Sequence, residues 1–417
     1  MSQYRIRGGN RLAGEVRIGG AKNAVLPILA ASALNQGESI IHNCPRIQDT
    51  FISIKILESI GCKTSFEGNT LIIDASCANS WDIPPELVKE MRSSIIFMGG
   101  VLGRFGSVNV SYPGGCALGT RPINLHIKSL RALGATIYDD HGIIRCHAES
   151  LTGGRVHLDK VSVGATENIM LAASTAEGET IVNNAAREPE ILDLQNFLNG
   201  MGADIKGAGT DTIVIRGVKK LHSTEHTVMP DRIVAGTYLA AAAITGGNLK
   251  LRRISSHDLL SITAKLTEMG CEIKEYKTEI GIKAPKRLKS LPRLITEPYP
   301  GFPTDMQAQF VAALATAEGT SMVHETIFDS RNKHANELQK MGANITVLQG
   351  VEFVIQGCER LNGTTVTATD LRGGAALILA GLMAEGETVV QEAHYVQRGY
   401  EAIEKALESV GANIILE

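Results

Sequence analysis

Six short segments of this 417-residue chain gather polar residues, four of them with a cation: Lys22-Asn23, Met91-Arg92-Ser93-Ser94, Ser162-Val163-Gly164, Asp231-Arg232, Thr304-Asp305-Met306 and Asp370-Leu371-Arg372. Each opens a run of alanine and aliphatic residues that reads as a helix. A helix N-terminus offers unpaired N–H groups and about half a positive charge, which suits an anion. Asp, Ser and Thr in these places suit plain N-caps equally well. Lys22, Arg92, Arg232 and Arg372 fit that explanation poorly, because the helix dipole opposes a cation at this end. An anion that outweighs the penalty is the simpler account, and a small, densely anionic ligand is the expected chemistry.

A second constellation is the loop Tyr112-Pro113-Gly114-Gly115-Cys116-Ala117-Leu118-Gly119-Thr120-Arg121-Pro122. A cysteine among glycines and near a guanidinium suits an accessible thiol of lowered pKa on a mobile lid. The other six cysteines read as packing residues: Cys62 and Cys271 follow a repeated glycine where other copies have alanine, and Cys44, Cys77, Cys146 and Cys358 lie in or beside strand patterns. His126 reads as structural, and Glu188 and Glu190, flanking Pro189, as a solvated turn. The sequence contains no P-loop, no dinucleotide fingerprint, no Ser-His-Asp pattern and no metal-ligand spacing, so neither metal nor cofactor is expected.

The elements that must position these residues form a repeat. Glycines at 61, 134, 202, 270, 342 and 411 recur with a period of about 70 residues. Leucine stands four positions before each, and an apolar residue one before, as expected of a helix ending at a glycine C-cap. Upstream of each lies a small-residue helix ending in a Gly-plus-polar turn, as in LAASTAEGETIVNN and LAGLMAEGETVVQE. Each copy reads strand, small-residue helix, strand, amphipathic helix, strand, turn, strand. Helices of small residues belong where backbones pack closely, so they are expected inside and the strands outside. Six copies divide most simply into two domains of three, residues 22–229 with the Cys116 loop, and 1–21 plus 230–417 with Asp305 and Arg398. The N-terminal strands, Tyr4 to Arg7 and Glu15 to Ile18, are expected to complete the last copy.

Composition agrees with a globular chain. Apolar residues make up 44%, charged residues 20%, and mean hydropathy is +0.04, so burial can offset chain entropy without lipid. Net charge is −3, which gives no reason to expect nonspecific nucleic-acid or membrane binding, and any anion site must be local. The chain opens without a leader pattern, carries no apolar run of about 18 residues and has no C-x-x-C pair. A cytoplasmic, unprocessed monomer with free thiols is expected.

These motifs resemble the enolpyruvyl transferases, end to end. The resemblance lies in Gly20-Ala21-Lys22-Asn23, PGGCALGTRP at 113–122, SVGAT at 162–166, PGFPTD at 300–305, TDLRGG at 369–374 and Arg398-Gly399-Tyr400-Glu401. It implies an inside-out α/β barrel: two domains, each of three βαβαββ repeats, with the active site in the cleft between them. The branch implied takes phosphoenolpyruvate and UDP-N-acetylglucosamine, forms an enolpyruvyl ether at the sugar 3′-hydroxyl, releases phosphate and serves cell-wall synthesis. By that resemblance Cys116 is the general acid and the site of alkylation by fosfomycin, and Asp305 the proton acceptor at the sugar hydroxyl. Lys22, Arg92, Arg121, Arg372 and Arg398 hold the phosphate and carboxylate of phosphoenolpyruvate. Asn23, Arg92, Arg121, Pro122, Asn124, Leu125, Ser162, Val163, Gly164, Asp305 and Ile327 hold the nucleotide sugar. The family uses no metal and no protein partner. Asn124 and Gln397 depart from the pattern, since many relatives carry aspartate at these two places, which bears on the uracil contact and on the support of Arg398. The rival expectations are transfer to shikimate 3-phosphate, against which the Cys-bearing loop and the Ala-Lys-Asn start count, and a nucleotide-sugar sensor without catalysis.

Overall fold

The computed structural model describes residues 2–113 and 122–417. These fall into two compact units, one of residues 2–19 with Pro230–Glu417, the other of 20–113 with 122–229. Each unit has its own hydrophobic core.

The repeat is built on one helix ending. Gly61, Gly134, Gly202, Gly270, Gly342 and Gly411 all have φ between 91° and 102°, where a side chain is strained. In every copy the residue after the glycine donates its N–H to the carbonyl of the leucine five residues back: Cys62 to Leu57, Ala135 to Leu130, Ala203 to Leu198, Cys271 to Leu266, Ala343 to Leu338 and Ala412 to Leu407. The glycine N–H bonds the carbonyl three residues back, for example Gly342 to Gln339 at 3.0 Å. This double closure is the Schellman motif. It fixes why leucine, glycine and a small residue recur at these spacings, and it turns the chain from helix into hairpin.

Three small-residue helices fill each unit. In one they are Lys22–Ser32, Phe97–Phe105 and Val163–Ala173, and in the other Arg232–Ile244, Gln307–Leu314 and Leu371–Met383. Within a unit each of the three touches the other two. Gly99 and Gly100 show why small residues are needed: a Cβ at Gly100 would lie 2.4 Å from the carbonyl oxygen of Ala30, and one at Gly99 would lie 2.4 Å from that of Asn168. The outer helices, such as Pro189–Gly200, bury one face only.

The strands form outer sheets with one buried face, and no sheet closes on itself among the described residues. Five have four strands, in which one edge strand pairs in parallel and the other three pair antiparallel. The sixth, from Ser107–Ser111, Thr136–Asp140 and Ile143–His147, keeps only a bridge from Asp82 to Asn109 in place of the parallel strand. Pro84 and Pro85 follow at once and stop the extended chain from pairing further.

The N-terminal strands divide their roles, which corrects the expectation that both complete the last copy. Gln3–Arg7 does so, lying antiparallel between Glu387–Gln391 and Asn413–Leu416. Ala13–Arg17 instead runs parallel to Asn248–Arg252 in the fourth copy. The reason is an exchange: Thr224–Thr227, which precedes the Arg232–Ile244 helix in sequence, pairs in parallel with Glu38–His42 of the first copy. The fourth copy is therefore completed from the N-terminus. Backbone bonds close each unit at these crossings, Ala21 N–H to Met229 O at 2.8 Å and Asp231 N–H to Gly19 O at 2.9 Å.

The interior approach generates a prediction. Gly100→Ala forces its methyl into a backbone carbonyl and should lower unfolding free energy by about 1–3 kcal/mol. Gly178 has φ +89° but open space around it, so Gly178→Ala should cost about 1–2 kcal/mol, from backbone strain alone. Urea denaturation of both variants, with thermal melts at two pH values, checks the ranking.

Candidate active site

In the unit of residues 2–19 and Pro230–Glu417, Asp305 sits in a 3-10 turn, Thr304–Met306, that leads into the Gln307–Leu314 helix. Its carboxylate is held by two guanidinium groups, Arg331 Nη1 to Oδ1 at 3.1 Å and Arg372 Nη2 to Oδ2 at 2.8 Å. Burial alone would raise the carboxyl, but Arg372 and then Arg331 overcome it and hold Asp305 well below the ordinary carboxylate range. The Arg372 guanidinium is itself held charged: burial works against it, and Asp305 outweighs the penalty. Arg372 lies in the first turn of Leu371–Met383, whose N-cap Asp370 accepts from the amides of Arg372 and Gly373, both at 3.0 Å.

A loop after the strand Thr320–His324 presents Arg331 and Ile327, and Glu325 organises it. The buried Glu325 carboxylate accepts from the Thr296 and Thr304 hydroxyls, each at 2.9 Å, and from the amides of Ile327 and Phe328 at 2.9 and 3.2 Å. Ile327 is thereby displayed, 38% exposed. Beneath Arg331, His334 is buried and stacks on Phe353 with ring centroids 5.6 Å apart. Burial, helped by Arg331 and opposed by Asp370, pushes its imidazole down to about 4, so it is neutral at pH 7. A polar knot under the helix starts joins the Tyr400 hydroxyl to Thr237 at 3.0 Å and to Gln309 Nε2 at 3.2 Å. Arg398 follows the short helix His394–Gln397 and is half-buried.

In the unit of residues 20–113 and 122–229, Lys22 opens the Lys22–Ser32 helix and bonds Asp49 at 2.7 Å, both side chains being nearly inaccessible. Asp49 stands in the first turn of Gln48–Ser59, where a carboxylate is favoured. Asn23 and Arg92 are half-buried at the starts of their elements. Ser162 caps Val163–Ala173, its hydroxyl accepting from the Ala165 amide at 3.3 Å. The amides of Val163 and Gly164 stand ahead of the helix ladder, as the first amides of a helix do. Pro122 and Asn124 are exposed and Leu125 half-buried. Asn124 lines a 450 Å³ cavity with Tyr112, Lys128, Arg131, Tyr138 and Asp139, among others. Cys116 and Arg121 lie outside the described residues.

A model of the EPSP synthase (3-phosphoshikimate 1-carboxyvinyltransferase) family matches residues 6–407. The chain belongs to this family. Among its relatives, UDP-N-acetylglucosamine 1-carboxyvinyltransferase 2 of Caldanaerobacter subterraneus subsp. tengcongensis is 55% identical over 415 residues, covering 100% of this chain and 99% of that one. UDP-N-acetylglucosamine 1-carboxyvinyltransferase 1 of Symbiobacterium thermophilum is 51% identical over 418 residues, 99% of this chain and 94% of that one. Of solved structures, the enolpyruvyl transferase NikO from Streptomyces tendae matches with TM-score 0.90 at 26% identity, over 100% of this chain and 98% of that one. EPSP synthase from Acinetobacter baumannii matches with TM-score 0.75 at 20% identity over 100% of both, a likeness of fold.

Against this family frame several expectations change. The caps at Ser162, Asp231 and Asp370 each bond helix amides, so the plain N-cap explanation holds for them. Asp305 pairs with the two arginines. Lys22 and Arg372 have protein carboxylates as countercharge, so the dipole penalty is met within the fold. His126 is structural as expected, its Nδ1 2.7 Å from Asn168 Nδ2, while Asn168 Oδ1 accepts from the Gly99 amide at 2.6 Å. Glu188 and Glu190 do not form a solvated turn: Glu190 is 3% exposed, and both face the buried Glu167. Cys77 is exposed rather than packed, whereas burial pushes the Cys62 thiol up to about 12 and the Cys271 thiol up to about 11. Glu325, Arg331 and His334 carry no sequence signal beyond lying in and after a turn; Arg331 is marked only by its bond to Asp305, Glu325 by its bond to the neighbouring Thr304, and His334 by lying beside Arg331.

Glu167 provides a pH test. Burial, then Glu190 and Glu188, push its carboxyl up to about 8. The folded state thus binds a proton that the unfolded state releases above its ordinary value near 4.3, and stability falls as pH rises from that value through about 8. Glu167→Gln should remove this slope. Thermal melts should show the variant gaining on the parent between pH 5 and pH 8; parallel curves would contradict it.

Proposed function

We propose that the chain transfers the enolpyruvyl group of phosphoenolpyruvate to the 3′-hydroxyl of UDP-N-acetylglucosamine, releasing phosphate, as the entry step of peptidoglycan synthesis. The observation that carries this is 55% identity, end to end, to a relative bearing that activity's name. Addition forms a bond from the sugar oxygen to C2 of phosphoenolpyruvate while an acid protonates C3. Elimination then returns a proton from C3, expels phosphate and restores the vinyl group. Cys116 is the acid and Asp305 the proton acceptor. Lys22, Arg92, Arg121, Arg372 and Arg398 gather the phosphate and carboxylate of phosphoenolpyruvate, where fixed cations serve an anion that moves between states. Asn23, Arg92, Arg121, Pro122, Asn124, Leu125, the Ser162–Val163–Gly164 turn, Asp305 and Ile327 hold the nucleotide sugar. The domains are 22–229 and 1–21 plus 230–417, and the enzyme acts in the cytoplasm as a monomer without a protein partner.

The test is phosphate release with UDP-N-acetylglucosamine or shikimate 3-phosphate as acceptor. Release is expected with the first alone. Release only with the second would reassign the substrate, and release with neither would refute the enzyme. Cys116→Ser should lose most turnover and its alkylation by fosfomycin while unfolding as the parent does. Equal alkylation of the variant, read by mass spectrometry, would show that another thiol reacts.

A further inference from the structure

We propose that Glu325 is a positioning residue for the sugar acceptor: one buried carboxylate sets both Asp305, through Thr304 and Arg331, and the displayed loop at Ile327. The proposal rests on the function above, which assigns Asp305 and Ile327 to the nucleotide sugar. Glu325 is 2% exposed, so it acts through its neighbours and not on a ligand.

Its two oxygens divide the work. Oε1 accepts from the Thr296 hydroxyl at 2.9 Å and from the amides of Ile327 and Phe328 at 2.9 and 3.2 Å. The Thr296 hydroxyl in turn accepts from the Thr326 amide at 2.9 Å, so the loop is bonded from its first residue. Oε2 accepts from the Thr304 hydroxyl at 2.9 Å. A carboxylate suits this place because it only accepts, and all four neighbours donate.

The Thr304 bond fixes a direction. A hydroxyl has one hydrogen and two lone pairs. With its hydrogen on Glu325, Thr304 turns a lone pair to Arg331 Nη1, 2.9 Å away. The same nitrogen donates to Asp305 Oδ1 at 3.1 Å and to the Thr304 carbonyl. The chain of contacts then closes, because the Arg331 guanidinium lies over the Phe328 ring, 4.6 Å from its centroid, and Glu325 holds the Phe328 amide. A shift of the Thr304–Met306 turn against the Ile327 loop therefore breaks buried hydrogen bonds. Asp305, which must meet the sugar hydroxyl, and Ile327, against which the nucleotide sugar packs, keep their separation before a ligand arrives. Groups set in advance need no ordering on binding and stand ready for the reacting atoms.

Three substitutions test the relay. Glu325→Gln keeps an oxygen for Thr296, Ile327 and Phe328 but turns an NH2 group on Thr304, whose hydrogen then lacks its acceptor. Thr304→Val removes the hydroxyl at nearly equal size. Each should lower kcat for phosphate release with UDP-N-acetylglucosamine about 10- to 100-fold, the scale of a displacement of up to ~1 Å. KM for phosphoenolpyruvate should stay within about twofold of the parent, since that ligand's contacts are untouched. The double variant should be no slower than the slower single, because both changes break one bond. Thr304→Ser should recover most of the kcat that valine loses. Losses that multiply in the double variant, or a serine variant as slow as the valine one, overturn the proposal.

Hydrogen exchange of the ligand-free full chain, read by mass spectrometry, tests the coupling without turnover. Thr304→Val should speed exchange of the Ile327 and Phe328 amides about 2- to 10-fold, the effect of one hydrogen bond, although it touches neither. Exchange equal to the parent's overturns the proposal, even where Glu325→Gln does not fold. A parent that releases no phosphate with UDP-N-acetylglucosamine instead refutes the assigned function, and the exchange result then decides by itself whether Glu325 couples the turn to the loop.

Discussion

Three helices in each unit approach until backbone meets side chain, and the rest of the architecture follows from that closeness. With Gly99 and Gly100 against Asn168 and Ala30, no larger residue fits between the helices. A helix packed on all sides must be apolar all round, so the amphipathic helices and the sheets lie outside it. Large apolar side chains fill the space around these contacts, from the inner helices themselves (Ile28, Leu29, Phe97, Phe310), the outer helix residue Phe197 and the strand residue Phe353. The six Schellman closures make this repeatable, because each returns the chain from an outer helix to a hairpin at the same angle and over the same few residues.

Burying helix starts also buries the charges they carry. A lone buried cation is costly, and here the fold answers with carboxylates from neighbouring elements: Asp49 for Lys22, and Asp305 for Arg372. These pairs hold cationic side chains in fixed places without a ligand, at the cost of lowering the basicity of Asp305. The opposite arrangement appears around Glu167, where burial and the neighbouring Glu190 and Glu188 carboxylates raise the carboxyl so that it keeps its proton. One chain thus contains a carboxylate held ionised and a carboxyl held neutral, and their surroundings alone distinguish them.

The repeat, the interior placement of the small-residue helices and the segments that begin them were legible in the sequence, because each depends on local rules. Leucine, glycine and a small residue at fixed spacing encode a helix end wherever they occur. The cations at the helix starts were legible as charges against a dipole. Their carboxylate partners were not, since Asp49 lies 27 residues from Lys22 and Asp305 lies 67 from Arg372, and no periodicity joins them. The turn at Glu188 and Glu190 was misjudged for a similar reason: Pro189 and two acids look solvated in isolation, and only the packing of Pro189–Gly200 against the Val163–Ala173 helix buries them.

What the sequence by itself determined is the unit of about 70 residues, its helix endings, its interior and exterior faces, and the chemical types gathered at the helix starts. Tertiary structure decided which N-terminal strand completes which copy, because Ala13–Arg17 and Thr224–Thr227 could each have stayed beside the helix that follows it and instead pair with the other's repeat. It also decided the state of Asp305. A carboxylate's proton affinity is set by the charges within a few ångströms, and Arg331 and Arg372 come within that distance only when separate elements fold together.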